Sequence, residues 1–249
     1  MIDNDSPLFR PPPPAGRIDI HSHLLPGIDD GCQDMAESLA CIRRLKAAGY
    51  VGSICTPHLG RWQPELTPQQ VMNQTIVLQS QLRQLAEDYR IWPGGEVGLW
   101  DGVIAWMQAH GVPTLAGSRC VLVDMWPEKW EKWINPAFRW LIDQGYQPIL
   151  AHPERSPCVN ELDQRVRDLE AMGVWLQGNL RCITGEDGYA ADLFMRQWLA
   201  ENRYRFLALD MHRPDSLVSR LEGIGLVEQT CGRGVTEHLI DMAPRRDIF

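Results

Sequence analysis

From Arg17 onward the chain alternates two hydrophobic patterns. Short runs rich in β-branched and aliphatic residues occur at Arg17–Ile20, Val51–Thr56, Tyr89–Val97, Cys120–Val123, Pro148–Ala151, Val174–Gly178 and Arg205–Leu209, and runs of this kind predict strands. Between them lie longer stretches with apolar residues at helical spacing. Met35–Ala48 carries Leu39, Ile42 and Leu45 on one face and ends at Gly49, while Pro68–Asp88 carries Val71, Ile76, Leu78, Leu82 and Leu85. Strand and helix in alternation mark βαβ units around a parallel sheet, and the seven runs suffice to close a (β/α) barrel. After the fourth run, Trp126, Trp130, Trp133 and Trp140 recur at spacings of four, three and seven. On a helix they would form one stripe packed against the barrel, although Pro127 and Pro136 restrict where that helix can run. Residues 1–16 break the pattern: four consecutive prolines without apolar periodicity predict an extended or disordered tail ahead of one domain at 17–249.

Composition narrows the function classes. A chain of 249 residues with 44% apolar content builds one sizeable core. Its 32 acidic and 24 basic residues leave a net charge of −8, which disfavours a nucleic-acid partner. There is no apolar run long enough to insert in a membrane, and MIDNDSPLFRPPPP lacks the basic and apolar regions of a signal peptide, so a cytoplasmic location is expected. The seven cysteines are scattered without a CxxC pair, which argues against both a disulfide framework and a zinc ribbon.

The chemistry is concentrated where the predicted strands end. Of the seven histidines, His21, His23, His58, His152 and His212 each follow a strand run, and Glu96, Asp124 and Asp210 occupy other strand ends. In a parallel (β/α) barrel these ends converge on one face. In IDIHSH the alternation of a strand turns both imidazoles to one side. Behind them PGIDDG offers Asp29 and Asp30, of which Asp30 is the favoured ligand. Imidazole and carboxylate together suit Mn, Fe or Zn, and so many groups imply more than one ion. Cys55 to Arg61 has the C-x5-R spacing of thiolate-dependent phosphatases, but Pro57 has no amide proton for a phosphate loop and the barrel requires His58. Cys55 is therefore expected to be a buried strand residue, and His110 and His238, away from strand ends, to be structural.

IDIHSHLLPGIDDG, TPH, GGEV, LAHPER, QGNLRCITG and LDMHRPDSL, in that order, resemble the polymerase and histidinol phosphatase (PHP) superfamily. Within it the sequence is similar to the bacterial manganese-dependent protein tyrosine phosphatases of capsule and exopolysaccharide biosynthesis. The resemblance implies a distorted seven-stranded (β/α) barrel, two or three divalent ions of manganese type, and as substrate the phosphotyrosine on a partner kinase's tail. By motif position it implies His21, His23, Asp30, His58, Glu96, Asp124, His152, Asp210 and His212 as ligands, and Arg155 and Arg213 as phosphate contacts. Asp210, His212 and the two arginines are then the catalytic set. Two departures stand out: Asp124 replaces an expected Glu and is shorter by a methylene, and Arg213 follows His212 directly where relatives have a longer loop. Arg61, in LGRW, receives no assignment. The rival readings are a small-molecule phosphomonoesterase such as a histidinol phosphatase, and a non-catalytic metal-stabilised scaffold in an export assembly, with the tryptophan stripe as a surface for a partner or for homo-oligomer formation.

Overall fold

A computed structural model describes residues 15–158 and 160–249, so the expected tail lies outside the described residues except for Ala15 and Gly16. Among the described residues nine strands form where seven were expected: β1 (Arg17–Ser22), β2 (Tyr50–Cys55), β3 (His58–Gly60), β4 (Arg90–Pro93), β5 (Glu96–Gly98), β6 (Cys120–Asp124), β7 (Gln147–Ala151), β8 (Trp175–Asn179) and β9 (Tyr204–Ala208). One extra strand arises because the expected strand Tyr89–Val97 is cut in two, and the other, β3, lies beyond the expected strand Val51–Thr56. Pro57 separates β2 from β3, since it has no N–H to donate to a ladder. Gly94 and Gly95 separate β4 from β5; a Cβ on Gly95 would lie 2.3 Å from the Leu59 side chain.

The pieces pair in parallel as two sheets, ordered β1-β2-β4 and β3-β5-β6-β7-β8-β9. A continuous seven-stranded barrel ladder is not formed. Between β1 and β9 the seam consists of one bridge, Ser22 to Met211, and the backbone bonds Asp210 N–H to His21 C=O and His23 N–H to Met211 C=O, both 2.9 Å. Beside it the buried Asp19 carboxylate accepts from Leu209 N–H at 3.0 Å, doing the work of a strand carbonyl.

Helices α1 (Met35–Ala47), α2 (Pro68–Gln84), α3 (Val103–His110), α4 (Ile134–Asp143), α5 (Leu162–Ala171), α6 (Tyr189–Ala200) and α7 (Leu217–Cys231) follow the strands. They bury Leu45, Leu78, Phe138 and Trp198 in the larger core. The smaller core lies on the inner face of the strands, where Ile18, Ile20, Ile54, Trp92, Leu122, Ile149 and Phe206 meet, and the C-terminal segment Ala243–Ile248 packs against it. The tryptophan stripe does not exist as one helix face. Only Trp140 lies within α4; Trp133 is its cap, and Trp126 and Trp130 precede it. Pro127 disfavours helical backbone at Trp126, and Pro136 is tolerated because it falls in the first turn of α4.

Candidate metal centre

The strand period of two carries each strand from the inner core to a polar side chain at its C-terminal end. Leu122 leads to Asp124, Ala208 to Asp210, Trp92 through Gly94 to Glu96, and Ile54 through Thr56 to His58. β1 reaches the same end differently. Its inner residues are Ile18 and Ile20, which would turn His21 and His23 outward, but the register slips by one between Asp19↔Ser53 and Ser22↔Cys55. Such a bulge re-aims the following side chains, and both histidines become fully buried at the centre. At β7 the backbone itself turns: His152 has φ 29°, and Asp210 after β9 has φ 49°. Non-glycine residues in this region are uncommon and carry a local cost.

All nine expected ligand residues converge. They form four overlapping groups whose ligand atoms lie within 4.8 Å of one another: His23, Asp30, His58 and His212; His21, His23 and Glu96; His21, His152 and Asp210; and Glu96, Asp124 and His152. Glu96 is central, with Oε1 2.9 Å from His152 Nε2 and Oε2 2.8 Å from His58 Nδ1. Asp30 Oδ1 reaches His58 Nε2 at 3.3 Å and His212 Nε2 at 3.5 Å. The donor set fits divalent cations, for a physical reason visible in the protein alone: the buried Asp124 Oδ1 has no hydrogen-bond donor, and Glu96 Oε2 and His58 Nδ1, though 2.8 Å apart, make no hydrogen bond with each other. Acceptors of that kind are costly unless a cation satisfies them.

Supporting side chains fix the orientation of these groups. Gln177 donates to Gly178 C=O, which turns its Oε1 to His21 Nδ1 at 2.9 Å and leaves His21 Nε2 facing the centre. Asp29 Oδ2 holds His23 Nδ1 at 2.7 Å in the same way, and also accepts from His58 N–H at 3.1 Å. Second partners of this type set imidazole tautomer and aim. Gly31 allows the loop to close: a Cβ there would sit 2.3 Å from the His23 carbonyl oxygen. Asn179 Nδ2 donates to Asp210 Oδ2 at 2.8 Å, and Arg155 Nη1 donates to the same oxygen at 2.8 Å. Arg155 Nε also lies 3.4 Å from Asp187, which is in turn held by two N–H groups of Arg181. Gln177, Asn179, Arg181 and Asp187 were not singled out from the sequence; the first three lie in QGNLRCITG, a motif that gave a location but no roles.

The electrostatics follow from burial against charge. Burial alone would lower the His23 pKa, but Asp29 and Asp210 outweigh it and carry it up to about 10. His58 is likewise pushed up to about 11, burial being overcome by Glu96 and Asp30. Burial alone would raise Glu96, yet His21 and His58 hold it well below the usual carboxylate range. Asp124 is raised by burial and by Glu96 beside it. One expected phosphate contact stands apart at the edge of the site. Arg213 is exposed and is not among the residues lining the cavity over the centre, because the chain turns there into the short Pro214–Ser216 helix. Instead the buried Arg220 braces the loop, donating to Leu209 C=O and Asp210 C=O. Cys55 is fully buried, and burial pushes its thiol far up, which is unfavourable for a thiolate. His110 and His238 lie outside the four groups.

The cavity over these residues has a volume of about 530 Å³ and is lined by Asp30, His58, Asp124, His152, Asp210 and His212, with Arg155, Trp62, Gln63 and Trp126 at its sides. A family model for capsular polysaccharide synthesis, CpsB/CapC, matches residues 17–248. The tyrosine-protein phosphatase CpsB of Streptococcus agalactiae is 26% identical over 203 residues, covering 80% of this chain and 84% of that protein. The tyrosine-protein phosphatase YwqE of Bacillus subtilis is 26% identical over 195 residues, covering 78% and 77%. In three dimensions the chain matches a crystal structure from a pair comprising YwqE of Bacillus subtilis and CpsB of Streptococcus pneumoniae, metal-dependent tyrosine phosphatases, with a TM-score of 0.79 at 25% identity, covering 89% of this chain and 90% of that one. With its motifs in order, its ligand residues gathered at one end of a parallel α/β fold and nearly its whole length matched, the chain belongs to the CpsB/CapC family of capsular polysaccharide synthesis.

Proposed function

We propose that the chain is a metal-dependent phosphomonoesterase that removes phosphate from protein phosphotyrosine. The observation that carries this reading is the convergence of nine ligand-type side chains, six of which line one cavity, with the guanidinium of Arg155 in the same lining. His21, His23, Asp30, His58, Glu96, Asp124, His152, Asp210 and His212 would hold two or three divalent ions. Mn²⁺ suits this mixture of imidazole and carboxylate, as do Fe and Zn. Four of the nine are carboxylates; two divalent ions balance them, and a third would add positive charge suited to a phosphomonoester dianion. Bound there, such ions supply charge against the phosphate oxygens and make water a competent nucleophile near neutral pH.

The chain's own groups then divide the remaining work. Arg155 presents N–H donors to the phosphate oxygens in a planar fork, and Asp187 and Asp210 hold that fork in place. Asp210 couples the two halves of the site: Oδ1 faces His21 at 3.5 Å and His23 at 3.4 Å, while Oδ2 is bound by Asn179 and Arg155. His212 completes the set at the partly exposed rim, with Nδ1 3.0 Å from Asp210 C=O. The relatives' names support a phosphotyrosyl protein as substrate, and we assign the tail of a capsule-pathway tyrosine kinase as the partner. In this reading the two sheets act as one distorted barrel with seven strand positions, β2/β3 and β4/β5 each filling one, and the enzyme works in the cytoplasm. Activity on a phosphotyrosyl peptide and on histidinol phosphate, each with and without added Mn²⁺, tests it. Metal-dependent turnover of the peptide is expected; preference for histidinol phosphate would move the chain to the small-molecule reading.

A further inference from the structure

We propose that Trp62 and Trp126 are specificity-determining walls of a slot that admits one planar aromatic ring above the metal centre, so that the site prefers aryl to alkyl phosphoryl groups. The inference rests on the phosphatase reading for its choice of ligand, but its evidence is separate. All ten tryptophans are described, and of these only Trp62 and Trp126 expose more than a third of their surface, 37% and 38%. Both border the same cavity. Every other residue lining it is charged or polar, so the floor offers imidazole, carboxylate and guanidinium while the sides offer two indoles. A polar floor with apolar walls suits a ligand that has a charged head and a flat apolar body.

The topology brings the two tryptophans to the rim of one cavity from neighbouring parts of one sheet. Trp62 follows β3 and Trp126 follows β6, and in the sheet only β5 lies between those strands. Two interstrand intervals separate their backbones by roughly 10 Å. Each indole is also anchored. Trp62 lies across Gly98, where a Cβ would come within 2.5 Å of its Nε1, and the Arg61 guanidinium stacks on it at 4.9 Å. Arg61 thus stands behind this wall and outside the cavity lining. Trp126 lies 5.5 Å from the Arg155 guanidinium carbon, which ties this wall to the phosphate clamp.

The test uses two inert phosphoryl mimics, phenylphosphonate and methylphosphonate, titrated calorimetrically into the Mn²⁺-loaded full chain, with hydrolysis of phenyl phosphate followed in parallel. The parent should bind phenylphosphonate at least about tenfold more tightly, as one stacked ring contributes on this scale. Trp62→Ala and Trp126→Ala should each lose most of that preference, and Trp62→Phe and Trp126→Phe should keep most of it. Inorganic phosphate should bind Trp62→Ala within about twofold of the parent, since that wall does not touch the clamp. Equal binding of the two phosphonates by the parent overturns the slot, as does a preference retained in both alanine variants with metal content intact. Phenyl phosphate left unhydrolysed beside an intact, tryptophan-dependent preference would support the slot and count against the phosphatase reading alone.

Discussion

His152 and Arg155 stand three residues apart in AHPER yet are held by different parts of the site, His152 by Glu96 and Arg155 by Asp210 and Asp187. Replacing them should separate two functions. His152→Ala should lower metal stoichiometry or affinity, with activity partly recovered by excess Mn²⁺. Arg155→Lys keeps the charge but loses the fork, so kcat/KM should fall by about one to two orders of magnitude, or roughly 1.5–3 kcal/mol, with metal content unchanged and inhibition by inorganic phosphate weakened. Parental kinetics in Arg155→Lys, or metal loss like that of His152→Ala, would falsify the assignment. Cys55→Ser should retain most turnover while chelation abolishes it, because Cys55 is buried below the site with its thiol pushed up; a dead variant with metal and fold intact would point to thiolate chemistry. The candidate ligands were legible because strand ends and residue types coincide in one sequence. Their supports were not: Gln177 meets His21 across 156 residues, and no local spacing records such a contact.

At the scale of elements, the positions of all seven expected strands were legible from their aliphatic runs, while the interruptions that shape the site were not. Gly94 and Gly95 fell inside the expected run Tyr89–Val97 and Pro57 just beyond Val51–Thr56, yet together they interrupt two neighbouring strand positions at one level and shift the ladder from the β1-β2-β4 sheet to the β3-β5 sheet. The slip in β1 is also silent in the sequence, since IDIHSH fits an unbroken strand equally well. The tryptophan spacing misled because it is compatible with a helix but lies mostly in the loop before α4. The loop after β1 offers the most direct test of an element. Its closure brings Gly31 against the His23 backbone, with Asp29 Oδ1 accepting from Gly31 N–H at 3.0 Å. Gly31→Ala should therefore displace the loop at an overpacking cost of about 1–3 kcal/mol and loosen Asp29 and Asp30 together. Urea denaturation and metal analysis check this: a midpoint and a metal content both equal to the parent's would show that the loop accommodates the methyl group.

At the scale of the whole molecule, the fold gathers carboxylates and imidazoles in a largely buried cluster, and protons and cations must compete for it. In the metal-free protein His23 and His58 have pKa values raised to about 10 and about 11 from an ordinary 6.5, so each binds a proton more tightly folded than unfolded. The contribution of these groups to stability is therefore fully present below about pH 6.5 and is lost as pH rises toward 10 and 11. Asp19, raised to about 7 by burial, acts in the same direction over a lower window, between its ordinary value and 7. A chelated sample should accordingly lose thermal stability as pH rises from 6.0 to 8.5. Metal binding reverses the dependence, because ligation requires neutral imidazole and displaces those protons. The Tm of the Mn²⁺-saturated protein minus that of the chelated protein should thus widen steadily across the same range, and calorimetry in buffers of different ionisation enthalpy should show proton release on binding. A gap in Tm that stays constant with pH, together with no proton release, would mean that the cluster binds cations without the histidines, and the ligand set drawn from the strand ends would have to be replaced.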